Sequence, residues 1–186
     1  MYSRKNLIKI LATAATMLAA HAAWAESGQL IDSVSTEFAA GTRTKMARIG
    51  VQSDWSDRWF DSNGTSLSGY WDLSYGFWQG DIYKGVPGAK QNLTDIGIDP
   101  VFRFENDSKK GFYAEGGIGA HRLSKLYDND GYRLSTLFEF CDHVGVGYVF
   151  SNKWEVGAKI EHFSNGGYSS PNSGVNFIDA KVSYHY

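Results

Sequence analysis

Apolar and polar residues alternate along much of this chain with a period of two residues. In residues 66–79, for example, Trp71 and Tyr75 fall on one face and Asp72 falls on the other. Side chains of a β-strand point alternately to opposite faces, so this period predicts strands with one apolar and one polar face. Clear alternation covers 44–55, 66–79, 94–105, 153–164 and 176–186, and weaker alternation covers 30–40, 110–121 and 136–150. The pattern therefore predicts an all-β chain of eight strands.

Two architectures fit strands of this kind. A soluble β-sandwich or lipocalin-like barrel turns its apolar faces inward, whereas a transmembrane barrel turns them to lipid and lines its interior with polar residues. Aromatic residues, which make up 15% of the chain, concentrate near the strand ends, several segments are long enough for a tilted crossing, and the chain ends on Tyr186. We therefore predict an eight-stranded antiparallel transmembrane β-barrel of the outer membrane. Its interior is expected to be filled by side chains rather than open as a pore.

The first residues are typical of a secretory signal peptide. Three basic residues precede an apolar stretch at 10–20, and Ala23-Trp24-Ala25 forms a small-x-small cleavage site. We expect residues 1–25 to be removed and residues 26–186 to form the barrel as one domain. No later stretch reaches the roughly 18 consecutive apolar residues that a membrane-spanning helix needs.

Charge and cysteine content exclude some classes of function. The 18 Lys and Arg residues nearly balance the 20 Asp and Glu residues, and no basic stripe indicates nucleic-acid binding. Cys141 is the only cysteine, so it forms no intramolecular disulfide, and we interpret it as a packed thiol. His121, His143 and His185 have no Cys or carboxylate neighbours at metal-binding spacing, which favours interior or turn positions and predicts no metal site.

The segment from His162 to Ser164 ends one of the clearest predicted strands. Counting from Trp154, both residues fall on the same row as the apolar, lipid-facing side chains. If both chain ends are periplasmic, this strand rises to an outer loop at 165–173, and the two side chains lie near the outer leaflet. Spacing alone leaves two interpretations open: ordinary loop-forming residues, or a nucleophilic serine with a histidine base.

The residues around this pair resemble the active-site segment of a known enzyme family. The stretches HFSNGG at 162–167 and PNSGVN at 171–176 are similar to those of the lipid A 3-O-deacylases of the PagL family. A weaker likeness extends upstream through LSGYWDLSYGFWQGD, DPVFRFE, YAEGGIGAH and FCDHVGVGYVF. The resemblance implies an eight-stranded outer-membrane barrel that hydrolyses the ester of the 3-linked hydroxyacyl chain of lipid A. It also implies a Ser–His–acid arrangement on the outer face of the barrel.

By this resemblance, Ser164 is the nucleophile and His162 is the general base and later the acid. Asn165, with the backbone amides of Gly166 and Gly167, is expected to form the oxyanion hole. Phe140 is a candidate contact for the acyl chain, because it falls on an outward row near the site. The reaction implied needs no metal and no cofactor.

The residue that orients the histidine departs from the family motif. Asn176 stands where the best-known form of the motif has Glu. Asn can hold the tautomer of His162 but contributes no charge. Asp142 is an alternative orienting residue, because a hairpin turn at 151–153 would place it opposite His162. A lumen or turn role for Asp142 in a slightly shifted register stays the competing interpretation.

The leading hypothesis is an outer-membrane esterase whose active site faces the outer leaflet and whose substrate is the lipid A of lipopolysaccharide. A phospholipase or acyltransferase of the same leaflet would use the same Ser–His chemistry on another ester. A third hypothesis is a non-catalytic small barrel that binds partners through its outer loops. The sequence leaves open whether the barrel acts as a monomer or as a homodimer, and which acyl-chain length it prefers.

Overall fold

The period-two segments form long antiparallel strands that close into a barrel. The computed structural model describes residues 30–186, so the predicted signal peptide at 1–25 lies outside the described residues. In chain order the strands are β1 (Ser33–Gly41), β2 (Thr44–Asp54), β3 (Trp59–Ser62), β4 (Thr65–Gly80), β5 (Gln91–Asn106), β6 (Gly111–Leu123), β7 (Asp128–Asn129), β8 (Tyr132–Arg133), β9 (Phe138–Val149), β10 (Trp154–Ser164) and β11 (Val175–His185). The eight long strands, which are all but β3, β7 and β8, make the barrel wall. The prediction of an eight-stranded antiparallel barrel is confirmed.

Each long strand pairs with its neighbour along the chain, and β1 pairs with β11 to close the wall. One rim carries the turn at 42–43 and the connections 81–90, 124–137 and 165–174. The opposite rim carries 55–64, 107–110, 150–153 and the ends of β1 and β11. We call the first the outer rim, since longer loops are extracellular in outer-membrane barrels. No helix within residues 30–186 is long and apolar enough to cross a membrane.

The two faces of the wall differ as the alternation predicts. On β4 the outward Trp71 is 47% exposed, whereas the adjacent Asp72 points inward and is 7% exposed. The same contrast separates Ile178 from Asp179 on β11. The apolar row therefore faces lipid and the polar row fills the interior, which is the arrangement of a transmembrane barrel.

The interior is packed with ion pairs rather than water-filled space. Arg103 Nη2 lies 2.7 Å from Glu115 Oε2, and Arg103 Nη1 lies 2.9 Å from Glu155 Oε2. A second cluster joins Arg48 Nη1 to Glu161 Oε2 at 2.9 Å. Buried charges are tolerated when they are paired and hydrogen-bonded in this way.

An apolar cluster closes the interior below the outer rim. The ring of the fully buried Trp78 lies 4.7 Å from Phe163 and 4.9 Å from Phe177, centroid to centroid. These edge-to-face contacts join β4, β10 and β11 across the interior. The strand that carries His162 and Ser164 is thus held from inside the barrel.

The histidines at positions 121, 143 and 185 lie away from the outward face. His121 is buried between Asp95 and Asp99, with nitrogen–oxygen distances of 2.7 Å and 3.0 Å. His143 is buried in the interior, and His185 Nε2 lies 2.8 Å from Glu155 Oε2 near the end of β11. These positions agree with the interior roles expected for them.

Candidate active site

His162 and Ser164 point outward at the outer-rim end of β10. They alternate with Glu161 and Phe163, which are buried inside the barrel. Because side chains of a strand alternate, burial of these two residues fixes the outward direction of His162 and Ser164. Both outward side chains are half-buried. The predicted pair therefore shares one face at the level of the outer leaflet.

A neighbouring strand orients the imidazole of His162. Asn176 is its cross-strand partner on β11, and Asn176 Oδ1 lies 2.6 Å from His162 Nδ1. In the neutral imidazole Nδ1–H donates this hydrogen bond, which leaves the lone pair of Nε2 free to accept a proton. Asn176 thus holds the tautomer that a general base requires.

Asp142 lies opposite His162 on the other side, on β9. The hairpin turns as expected, with the Phe150 N–H donating to the Trp154 carbonyl oxygen at 2.8 Å. This register places Asp142, His162 and Asn176 in one cross-strand row. Within residues 30–186 the side-chain hydrogen bond of His162 is donated to Asn176 Oδ1, and none joins His162 to Asp142. The register predicted for Asp142 is therefore found, while its role stays a prediction.

The hydroxyl of Ser164 faces a backbone donor in the loop that follows β10. Gly166 N–H lies within reach, with a nitrogen-to-Oγ distance of 3.4 Å. Gly166 adopts φ +66°, a left-handed conformation that glycine accepts most readily. No hydrogen bond joins Ser164 to His162 in the described part of the chain. Such bonds are often long in free enzymes and tighten when substrate binds.

Asn165 is buried and its side chain organises the 165–174 loop. Its Nδ2 donates to the Ser169 carbonyl oxygen at 2.9 Å and to Ser135 Oγ at 3.3 Å. Its Oδ1 accepts from the Gly167 N–H at 3.0 Å. Two of the three groups expected in the oxyanion hole, the Asn165 side chain and the Gly167 N–H, therefore already have hydrogen-bond partners in the outer loops. The structure gives Asn165 a loop-holding position, and the oxyanion assignment of Asn165 and Gly167 stays a prediction.

A second outer loop supports the first, which sequence reasoning did not foresee. The Ser173 N–H donates to the Arg133 carbonyl oxygen at 3.0 Å, and the Arg133 N–H donates to Ser173 Oγ at 3.2 Å. Leu134 forms a β-bridge with Asn172. The 124–137 loop is therefore joined to the 165–174 loop by hydrogen bonds and a β-bridge. No local sequence motif predicts these contacts.

Gly174 packs directly against the imidazole of His162. It adopts φ +70°, and a Cβ atom at this position would lie 2.5 Å from His162 Cε1. Any residue other than glycine would therefore push the imidazole away. The Gly in PNSGVN is thus explained by a close approach that the sequence alone did not reveal.

An open groove on the outer wall lies beside His162. It has a volume of about 860 Å³, and its outward lining includes His162, Asn176, Asp142, Val144, Ile160 and Ile178. Phe140, the cross-strand partner of Ser164, packs against Gly166 on the other side of the site. The groove is apolar away from His162 and polar beside it, which suits an ester with a hydrocarbon chain.

The chain is similar to one group of outer-membrane enzymes. Residues 45–185 match the family model described as lipid A 3-O-deacylase (PagL). The chain is 32% identical over 165 residues to lipid A deacylase PagL of Pseudomonas aeruginosa, covering 89% of this chain and 90% of that relative. It is 28% identical over 155 residues to lipid A deacylase PagL of Bordetella bronchiseptica, covering 82% and 83%. A crystal structure of the outer membrane enzyme PagL matches with a TM-score of 0.71 at 27% identity, covering 83% of this chain and 99% of that one.

Proposed function

Because this chain belongs to the lipid A 3-O-deacylase (PagL) family, we propose that Ser164 and His162 carry out its hydrolysis of the 3-O-linked hydroxyacyl chain of lipid A. The observation that carries the proposal is the orientation of His162 by Asn176, at 2.6 Å, on the row that also presents Ser164 to the outer leaflet. A serine hydroxyl is a weak nucleophile unless an adjacent base removes its proton. The pair supplies both groups.

The reaction proceeds in two halves. Ser164 Oγ attacks the ester carbonyl while His162 Nε2 takes its proton, and the tetrahedral intermediate carries a negative oxygen. The Gly166 N–H, whose nitrogen lies 3.4 Å from Ser164 Oγ, would donate a hydrogen bond to that oxygen. Collapse of the intermediate releases the sugar 3-hydroxyl, to which His162 returns the proton. Water activated by His162 then cleaves the acyl-enzyme and releases a 3-hydroxy fatty acid.

Asn176 and Asp142 divide the task that one acidic residue performs in a Ser–His–acid triad. Asn176 fixes the tautomer through Oδ1 but cannot neutralise the imidazolium that forms during attack. Asp142 lies on the opposite side of His162, at the separation of directly paired strands. We assign it a charge-stabilising role across the row.

The substrate reaches the site sideways from the outer leaflet. The groove below His162 opens on the lipid-facing wall and offers Ile160, Ile178 and Val144 to an acyl chain. We expect Phe140, the cross-strand partner of Ser164, to contact the same acyl chain or a neighbouring acyl chain of the substrate. All of these groups come from one chain.

Mass spectrometry of lipid A tests the function. Bacteria would express the wild-type chain, Ser164→Ala, or Ser151→Ala, a control in the exposed turn at the opposite rim. We expect lipid A to lose one 3-hydroxyacyl mass with the wild-type chain and with Ser151→Ala, but not with Ser164→Ala. Unchanged lipid A with all three folded barrels would contradict the proposal. Assays of phospholipid turnover would then distinguish a phospholipase from a barrel without catalytic activity.

A further inference from the structure

Three potential metal ligands meet inside the barrel, behind the wall that carries the active site. They are Asp99 on β5 and both Cys141 and His143 on β9, and one ligand atom from each lies within 4.8 Å of the other two. Their side chains are almost fully buried, at 5%, 1% and 7% exposure. Asp99 is far from the other two in sequence, and Cys141 and His143 are separated by a single residue, so spacing did not predict the group.

The buried and unpaired ring nitrogen of His143 indicates that this group binds a ligand. Its Nδ1 is inaccessible to solvent and has no hydrogen-bond partner, and no hydrogen bond to either ring nitrogen is present within residues 30–186. A buried polar group without a partner is costly, and such groups in native structures call for an explanation such as an ion. A ring nitrogen with a free lone pair is also the commonest metal ligand in proteins.

The charge inside the barrel also favours a bound cation. Buried carboxyl groups outnumber buried Lys and Arg side chains. The carboxyl groups are Glu37, Asp72, Asp95, Asp99, Glu105, Glu115, Glu139, Glu155, Glu161 and Asp179. The cations are Arg48, Arg103, Lys159 and Lys181. His121, which lies between Asp95 and Asp99, adds a cationic group when it is protonated, and a bound divalent ion would complement the remaining excess of carboxyl groups.

We propose that Asp99, Cys141 and His143 bind one divalent transition-metal ion of the zinc class inside the barrel. A carboxylate oxygen, a thiolate sulfur and an imidazole nitrogen form a ligand set that suits Zn²⁺, with water as the fourth ligand. Binding releases the proton of the Cys141 thiol. That thiol now donates to Glu161 Oε2 at 3.2 Å, and Glu161 keeps Arg48 as its partner when the thiol is lost.

A second layer of residues already orients the carboxylate ligand. His121 Nε2 lies 3.0 Å from Asp99 Oδ2, and His121 Nδ1 lies 2.7 Å from Asp95 Oδ2. Outer hydrogen bonds of this kind fix the direction of metal ligands. Both Asp99 oxygens face His121 Nε2, at 3.3 Å and 3.0 Å, and one of them lies within 4.8 Å of ligand atoms of Cys141 and His143.

The other buried acidic group suits a metal less well. Glu37, Glu161 and Asp179 also lie within 4.8 Å of one another. Lys159 and Arg48 already approach two of these carboxylates, at 3.0 Å and 2.9 Å, so two cationic side chains occupy the place of an ion. The Asp99 group has no Lys or Arg in hydrogen-bond contact among the described residues, and it alone offers sulfur and nitrogen.

The site would tie β5 to β9, which are separated by β6 in the wall. The metal would act as a cross-link through the interior, independent of hydrolysis at the outer face. We therefore expect it to stabilise the folded barrel rather than to take part in the reaction.

Titration with Co²⁺ tests the site, using the purified, untagged mature barrel folded in detergent micelles. We expect one Co²⁺ per chain with a thiolate-to-cobalt charge-transfer band, which Zn²⁺ displaces. Cys141→Ser should abolish the band, and His143→Ala should weaken binding at least tenfold. His185→Gln, outside the group, should bind as the wild type does. Zn²⁺ should also raise the unfolding midpoint of the wild type but not of Cys141→Ser.

The wild-type chain alone can overturn the proposal. Absence of the band at saturating Co²⁺ in the folded wild type would show that the three residues form no metal site. Binding that persists unchanged in both Cys141→Ser and His143→Ala would show that the ion sits elsewhere. If Cys141→Ser fails to fold, as judged by heat-modifiable mobility in gels, Asp99→Asn and His143→Ala provide the same comparison.

Discussion

Replacing Gly174 with alanine tests whether the position of His162 sets the rate of hydrolysis. A Cβ atom at residue 174 would lie 2.5 Å from His162 Cε1, whereas carbon atoms in favourable contact are about 3.5 Å apart. One of the two must therefore move by about 1 Å. The backbone on one side of Gly174 is held by the hydrogen bonds between Ser173 and Arg133, and on the other side it enters β11. We therefore expect the imidazole of His162 to move, rather than the backbone at residue 174.

This shift should lower kcat by about 100-fold, the cost of misplacing a catalytic group by about 1 Å. The 2.6 Å bond between His162 and Asn176 would lengthen at the same time. Alanine in the left-handed conformation of residue 174 also costs about 1–2 kcal/mol of stability. KM should change little, because Gly174 contacts the base and not the acyl groove.

The assay measures release of 3-hydroxy fatty acid from lipopolysaccharide in mixed micelles. Gly88→Ala is the matched control: Gly88 adopts φ +82°, and a Cβ atom there would have no neighbour within 4 Å, so the variant bears the same backbone cost without a clash. In a His162→Ala background, Gly174→Ala should lower the residual rate no further. A wild-type kcat for Gly174→Ala, or a further loss without His162, would refute the reasoning.

Substitutions at four other positions probe the site and its support. Asn176→Leu should lower kcat about 10- to 100-fold by removing the acceptor for His162, whereas Asn176→Glu should raise it by about tenfold through added charge, both in the release assay. Asp142→Asn should lower kcat less than Asn176→Leu does, and an unchanged rate would remove Asp142 from the mechanism. Asn165→Ala should expose the 165–174 loop to limited proteolysis, because three hydrogen bonds are lost. Arg103→Leu should lower the free energy of unfolding in urea by about 3–5 kcal/mol, because Glu115 and Glu155 both lose the guanidinium group that pairs with them inside the barrel.

The sequence was sufficient to predict the wall of the barrel and the outward face on which His162 and Ser164 lie. Alternation on β4 and β10 predicted which side chains face lipid. A strand has only two faces, so assigning the apolar row to one of them assigns the polar row to the other. The short hairpin at 150–153 also allowed the pairing of Asp142 with His162 to be counted from the turn. Local pattern and short connections are enough where pairing is between neighbouring strands.

Contacts between loops could not be predicted by counting residues from a turn. Ser135 and Asn165 are 30 residues apart, and their hydrogen bond depends on how two irregular loops meet above the rim. No period relates such residues, and Ser and Asn are ordinary loop formers. The loop-holding position of Asn165 and the close approach of Gly174 to His162 therefore emerge only from the three-dimensional structure.

The interior group of Asp99, Cys141 and His143 was missed for a related reason. Metal motifs are recognised by short spacing along one segment, whereas these ligands meet across a barrel whose diameter and stagger bring β5 toward β9. The alternation at 94–105 puts Asp99 on the polar row, and interior or turn positions were expected for His143. The sequence could not give the relative positions of these residues along the barrel axis, because the shear of the whole barrel sets them.

The two faces of β10 explain how a lipid-facing site stays ordered without a cleft around it. Glu161 is bonded to Arg48 and Phe163 packs against Trp78, so the inward residues fix both the register and the height of the strand. A slip by one residue would expose Glu161 to lipid and bury His162, and both changes are unfavourable. The interior therefore sets the positions of His162 and Ser164, and the loops only complete the site. A soluble hydrolase positions its reactive side chains with residues that surround the substrate. Here the inward-facing residues of β10 position His162 and Ser164 from the other side of the same strand.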